Sequence, residues 1–184
     1  MTWSLEQDTI QDWAYWDNVF TKEECKKIIK EGKKLGLEKG TVNGKKFNRR
    51  KSKVSWIYPT LEHQWIFQRV THVVKSLNND FFKFDLHGFD EGFQFTHYKA
   101  PGGAYGKHVD RWTNGPIRKL SITVQLSDPS TYKGGDLVIG DGGFVPKEQG
   151  KLIAFPSFMV HEVTPVTKGE RYSLVAWITG KQFR

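Results

Sequence analysis

The chain of 184 residues has one cysteine, Cys25. A lone thiol closes no intramolecular disulfide, which suits a reducing compartment. No apolar run approaches the roughly 18 residues that a membrane helix needs. The N-terminal stretch "MTWSLEQDTI" lacks the basic-then-apolar order of a secretion signal. These absences predict a soluble, cytoplasmic protein without membrane contact. Interior linkers, repeats and low-complexity tracts are also missing, so one domain over 1–184 is expected. No GK[ST] follows any of the glycine pairs, which excludes a phosphate-cradling P-loop and leaves those pairs as turns. Acidic residues are outnumbered, 20 against 28 basic, for a net charge of +8. That balance permits contact with nucleic acid, ribosomes or acidic proteins. Much of it, however, sits in "KKIIKEGKKLGLEKG", the wet face of a helix, and in "NGKKFNRRKSK".

What the chain does have is aromatic bulk: 13 Phe, 7 Trp and 6 Tyr, with 18 Gly against 7 Pro. Aromatic residues favour strands, and many glycines mean many turns. "TKEECKKIIKEGKKLG" places Thr21 and Glu24 in capping-box spacing, and Cys25, Ile28, Ile29 and Leu35 recur on one helical face that Gly36 ends. Cys25 reads as a small buried hydrophobe. Asn43-Gly44 marks a hairpin tip or loop, and "KSKVSWIY" reads as a strand. A second helix starts near Thr60, with Ile66, Val70, Val73, Val74 and Leu77 on its apolar side and "NND" at 78–80 as its stop. From Phe81 onward, short alternating runs ("GFQFTHY", "LSITVQL", "DLVIG", "KLIAF", "YSLVAWI") are separated by "PGG", "NGP", "KGG" and "DGG". Regular short strands with glycine turns predict a β-rich α+β fold of sandwich, barrel or jelly-roll type. Residues 1–80 would form a helical support and lid region, and 81–184 the β core.

The chemistry-bearing stretch is "YGKHVDRW". On an extended strand His108 and Asp110, one residue apart, face the same way. Two histidines and one carboxylate on one face form the usual three-ligand ferrous set with open positions. His161, after "KLIAFPSFMV", is the best third ligand. Ten residues on stands Arg171, then Ser173, at the start of an apolar strand. An arginine there can hold a carboxylate through a forked pair of hydrogen bonds.

These residues resemble a known family. "QFTHYKAPGGAYGKHVD", with Tyr98, Gly102 or Gly103, Tyr105, His108 and Asp110, is similar to the 2-oxoglutarate and iron(II)-dependent dioxygenases of the prolyl 4-hydroxylase-like branch, in its small microbial or phage forms. "LSITVQLSDPSTYKGGDLVI" and "GKLIAFPSFMVHEVTPVTKGERYSLVAWITG" extend the resemblance over about 90–180. It implies a double-stranded β-helix (jelly roll) with N-terminal helices packed on one sheet. It implies Fe(II) held by His108, Asp110 and His161. Arg171, with Ser173 and Tyr98, would bind 2-oxoglutarate, and ascorbate would serve as a reductant. The implied reaction hydroxylates a protein or peptide with an exposed proline, releasing succinate and CO2. The rival readings are an oxidative demethylase of nucleic-acid bases and a non-catalytic cupin-like binding module. The demethylases usually carry a second arginine where this chain has Trp177. Trp177 floors the pocket or fills the core, His97 should face away from Tyr98, and His63, His72 and His87 read as structural or exposed. Asp136 reads as a turn residue. The basic segment 37–53, with Lys45, Lys46, Arg49 and Arg50, is expected to be a substrate lid that favours an acidic target.

Overall fold

The computed structural model describes residues 11–41, 49–111, 115–141 and 143–182. In chain order these form β1 (Ala14–Trp16), α1 (Lys22–Lys34), β2 (Glu38–Lys39), β3 (Arg50–Lys51), β4 (Lys53–Ile57) and α2 (Gln64–Leu77). Then come β5 (Leu86–Phe89), β6 (Phe93–Lys99), β7 (Gly103–His108), β8 (Arg118–Gln125), β9 (Lys133–Gly134) and β10 (Leu137–Ile139). The chain ends with β11 (Gly143–Phe144), β12 (Leu152–Pro156), β13 (His161–Lys168) and β14 (Glu170–Gly180).

The strands build two antiparallel sheets. The larger runs β1-β12-β8-β14-β6-β4-β2, with β5 also paired to β14; the smaller runs β11-β10-β13-β7-β3, with β9 paired to β13. This is the expected double-stranded β-helix, with α1 and α2 packed on the outer face of the larger sheet. Residues before 81 are more than a helical support, because they add four strands, among them β1 at one edge of the larger sheet and β3 beside β7. Among the described residues no helix is long and apolar enough to cross a membrane.

Alternation along the strands explains both layers. In β8 all eight residues are buried. Leu120, Ile122 and Val124 join the core under the helices, together with Phe93 and Phe95 of β6 and Leu174 and Ala176 of β14. Their neighbours in sequence face the other way, toward the smaller sheet.

Thr21 and Glu24 close the capping box from both sides, through Glu24 N–H to Thr21 Oγ1 at 3.2 Å and Thr21 N–H to Glu24 Oε2 at 2.9 Å. Glu24 also takes the Arg69 guanidinium of α2 at 2.6 Å, which joins the two helices. The buried face of α1 runs through Cys25, Ile28 and Gly32, and Leu35, expected on that face, is exposed as the C-cap. The ring of Phe95 occupies the space that a larger residue at position 32 would need. Burial pushes the Cys25 thiol up to about 12, as suits an inert core residue. The apolar positions expected of α2 are all buried. The α-helix stops where expected, at Leu77 with Asn78 as its C-cap, and the chain winds on through a π turn, Asn78–Phe82, closed by Lys83 in the left-handed conformation. The Asn78 side chain wraps that turn by bonding both the carbonyl and the N–H of Phe84.

A Cβ on Gly32 would lie 2.3 Å from Cγ of Phe95. Gly32→Ala is therefore expected to destabilise the protein by ~1–3 kcal/mol through overpacking, against a helix-propensity gain of ~1 kcal/mol. Urea denaturation checks this; a stabilised variant would contradict it.

Candidate active site

The register of the smaller sheet sets His108, the last residue of β7, directly opposite His161, the first residue of β13. Asp110 lies two residues past the end of β7, not on a continuing strand as the spacing suggested. A turn holds it instead: the N–H groups of Asp110 and Arg111 both donate to the Ser157 carbonyl at 3.0 Å. One carboxylate oxygen then stands 3.6 Å from His108 Nε2, and the other 3.4 Å from His161 Nε2. The three ligand atoms lie within 4.8 Å of one another, so one ion can reach all of them.

Both imidazoles are fixed in the same tautomer. His108 Nδ1 meets the Gly106 carbonyl at 2.9 Å and His161 Nδ1 meets the Met159 carbonyl at 3.0 Å. A carbonyl only accepts, so Nδ1 carries the hydrogen and Nε2 turns its lone pair inward. The Ser121 hydroxyl donates to Asp110 Oδ2 at 2.7 Å and lies 3.0 Å from the Ser157 hydroxyl. Burial, followed by the neighbouring His161, pushes His108 down to about 4, which keeps it a neutral ligand at physiological pH. Burial alone would raise Asp110. The His161 and His108 imidazoles, the Trp177 indole and Ser121 outweigh it and hold the carboxyl below its ordinary value. His108 stacks on Tyr105 at 3.6 Å between centroids, and the Arg50 guanidinium sits 4.6 Å over that tyrosine.

The triad opens into a cavity of about 650 Å³ between the sheets. Behind it lies Arg171, 1% exposed, the bulkiest fully buried side chain among the described residues. One of its nitrogens donates to Gln125 Oε1 at 2.8 Å, while Nε and Nη1 are shielded from water with no hydrogen-bond partner. A guanidinium left with two unused donors in a cavity suits a carboxylate by its donor set. Tyr98 pairs in register with Arg171 across β6 and β14, and its ring lies 5.4 Å from the guanidinium. Burial raises the Tyr98 phenol, so it remains a hydrogen-bond donor. Ser173 lines the cavity two residues along β14 from Arg171.

Residues 93–179 match the family described as the 2OG-Fe(II) oxygenase superfamily. A PKHD-type hydroxylase of Synechococcus sp. (strain CC9605) is 44% identical over 84 residues, 43% of this chain and 38% of that protein. The chain thus spans less than half the length of the curated relative it matches. The fold extends the likeness over nearly the whole chain. A Pseudomonas putida prolyl-4-hydroxylase superposes with a TM-score of 0.71 at 22% identity, covering 93% of this chain and 94% of that one. A prolyl hydroxylase in complex with a hypoxia inducible factor oxygen degradation domain peptide fragment, from Trichoplax adhaerens, superposes with a TM-score of 0.77 at 17% identity, covering 92% and 84%. The comparisons lend no support to a nucleic-acid partner.

The family matched over residues 93–179 is described by ferrous iron and 2-oxoglutarate, and the donors present here fit both. Two imidazoles and a carboxylate with inward lone pairs suit the metal, and the unpaired donors of Arg171 suit an acid group. The structure brings together all six residues expected from the sequence: His108, Asp110, His161, Arg171, Tyr98 and Ser173 border one cavity. Trp177 also lines it, 6.3 Å from Trp56, with the Arg118 guanidinium 4.0 Å over its ring. His97 faces the other side of the sheet, stacked on Tyr172. Asp136 stands in the two-residue connection between β9 and β10 and pairs with Lys147 at 2.6 Å.

Arg50 corrects the lid expectation. Its guanidinium bonds Ser52, the Thr41 carbonyl and Gln94, so it is built into the cavity wall and is not a free substrate contact. Asn43, Gly44, Lys45 and Lys46 lie outside the described residues. Sequence reasoning missed Ser121 and Gln125, which orient Asp110 and Arg171. The available signal was the polar face of "LSITVQL": serine, threonine and glutamine alternating with aliphatic residues in a strand buried on both sides.

Ser121→Ala removes the hydroxyl that fixes Asp110 and leaves the fold in place. It is expected to weaken ferrous binding ~10–100-fold. An anaerobic binding titration checks this, and unchanged affinity would contradict the positioning role.

Proposed function

We propose that this protein is an iron(II)- and 2-oxoglutarate-dependent dioxygenase that hydroxylates a protein or peptide, with a prolyl residue as the target. The observation that carries the reading is the buried Arg171 with two unused donors, set behind a convergent His108, Asp110 and His161. The three ligands would hold the iron. Arg171, oriented by Gln125, would hold the distal carboxylate of 2-oxoglutarate, with Tyr98 and Ser173 beside it. When bound, the iron would supply dioxygen activation, which couples oxidation of 2-oxoglutarate to succinate and CO2 with insertion of one oxygen atom into a substrate C–H bond.

The chain's own residues have three tasks in this scheme. The Nδ1 bonds to Gly106 and Met159 hold both imidazoles in the ligating tautomer. The Ser121 hydroxyl favours the charged form of Asp110, and the Ser157 carbonyl, by taking its backbone N–H, keeps the side chain aimed at the same point. Leu137, Phe155 and Val163 on the inner face of the cavity exclude water from the reacting end. The prolyl target draws support from the fold shared with prolyl hydroxylases, one of which is described in complex with a peptide.

The test incubates proline-containing peptides with the protein, ferrous iron, 2-oxoglutarate and ascorbate. Succinate formation and the gain of one oxygen atom in the peptide are expected. No formaldehyde is expected from methylated oligonucleotides. Arg171→Ala should raise the KM for 2-oxoglutarate ~100-fold, from the loss of two charge-assisted hydrogen bonds, while ferrous affinity stays within about threefold because Arg171 touches no metal ligand. A native protein that consumes no 2-oxoglutarate, or an Arg171 variant with an unchanged KM, would overturn the reading; the latter result fits a cupin-like module.

A further inference from the structure

The helical layer carries a second group of ligand-type side chains, outside the cavity. Glu31 near the end of α1, together with Glu62 and His63 just before α2, places two carboxylate oxygens and one imidazole nitrogen within 4.8 Å of one another. None of these residues lines the active-site cavity. His63 is 7% exposed, and its Nε2 is shielded from water with no hydrogen-bond partner.

The surroundings of that nitrogen point to a cation. His63 Nδ1 pairs with the Thr60 hydroxyl at 3.2 Å; with that hydroxyl accepting from Nδ1–H, Nε2 presents a lone pair. Nε2 faces Glu31 Oε2 across 3.8 Å. That distance is too long for a hydrogen bond. It fits two ligands of one ion, since metal–nitrogen and metal–oxygen bonds of about 2.0–2.2 Å set such atoms up to about 4 Å apart. The Glu31 side chain is 13% exposed, and its other charged neighbour is Lys34 at 3.6 Å, whose own side chain is 67% exposed and can swing away. Glu62 is exposed and leaves the group open to solvent on one side. His63 also occupies the N-cap of α2 without making a capping hydrogen bond, so its ring is not used to satisfy the helix end.

We propose that Glu31, Glu62 and His63 form a second divalent-cation site, separate from the His108, Asp110 and His161 centre, that takes a zinc-class ion and clamps the end of α1 to the start of α2. One imidazole with two carboxylates suits a borderline ion such as Zn2+, with water in the remaining position. Ca2+ and Mg2+, which prefer oxygen ligands alone, suit it less.

Zinc titration of the metal-free full chain, read by competition with a chromophoric chelator and by thermal melting, tests this. The native chain should take two equivalents, one per centre, and Asp110→Ala should keep one that still raises Tm. Glu62→Gln, at an exposed position that leaves the fold intact, should lower the stoichiometry by one in the native background. In the Asp110→Ala background it should weaken the remaining site at least ~10-fold and remove the rise in Tm. His63→Gln should do the same, and X-ray absorption of the Asp110→Ala protein should show one imidazole among oxygen ligands. An Asp110→Ala chain that binds no zinc, or zinc binding that is indifferent to both Glu62→Gln and His63→Gln, overturns the proposal. The Asp110→Ala background separates either result from the fate of the iron reading.

Discussion

The pairing of β7 with β13 is the constraint on which the rest of the site depends. It sets His108 against His161 at one end of the smaller sheet. A slip of one residue would turn one imidazole to the opposite face and leave Asp110 with a single partner. The larger sheet contributes what the smaller cannot: Ser121 from β8 to orient the carboxylate, and the buried Arg171 from β14, held by Gln125. Close approach of the two sheets is part of the same constraint. Gly135 lies where an added Cβ would stand 2.8 Å from Val166 and 3.0 Å from Arg171, and its φ of +61° falls in the region open to glycine.

Arg171 shows that the site is built for a ligand more than for stability. Each buried donor without a partner costs about 1–3 kcal/mol, and Arg171 has two. A fold that retains such a group gives up stability for a function that fills it. The neighbouring side chains agree with this. Tyr98 remains a neutral donor, Gln125 places its carbonyl on the guanidinium, and the hydrogen bonds of His108, Asp110 and His161 leave a ligand-type atom of each turned toward the other two.

Much of this was legible in the residues. The capping box at Thr21 and Glu24, the apolar face of α2 and the alternating strands after Phe81 are local patterns, and local patterns survive folding. Residue type and order led to the expectation that His108, Asp110, His161 and Arg171 share one site, and the structure brings the four to one cavity. What escaped were relations between distant segments. The spacing of His108 and Asp110 suggested a strand, but Asp110 is set by Ser157, which lies 47 positions on. Gln125 and Arg171 are 46 positions apart. Leu35 lost its place on the buried face because α1 ends at Lys34 and leaves Leu35 exposed as its C-cap. Asn78 was read as a stop because its side chain competes with the helical backbone; it does cap α2, and the π turn that it wraps next was not foreseen.

The most direct measurement of the central claim is an anaerobic titration of the native chain with ferrous iron and 2-oxoglutarate, followed by visible absorption. Chelation of the metal by the keto acid produces a weak charge-transfer band only when both are held at one centre. The account predicts a saturable band that needs both components and vanishes in His161→Ala. No band in the native chain, or a band of equal strength in His161→Ala, would contradict it.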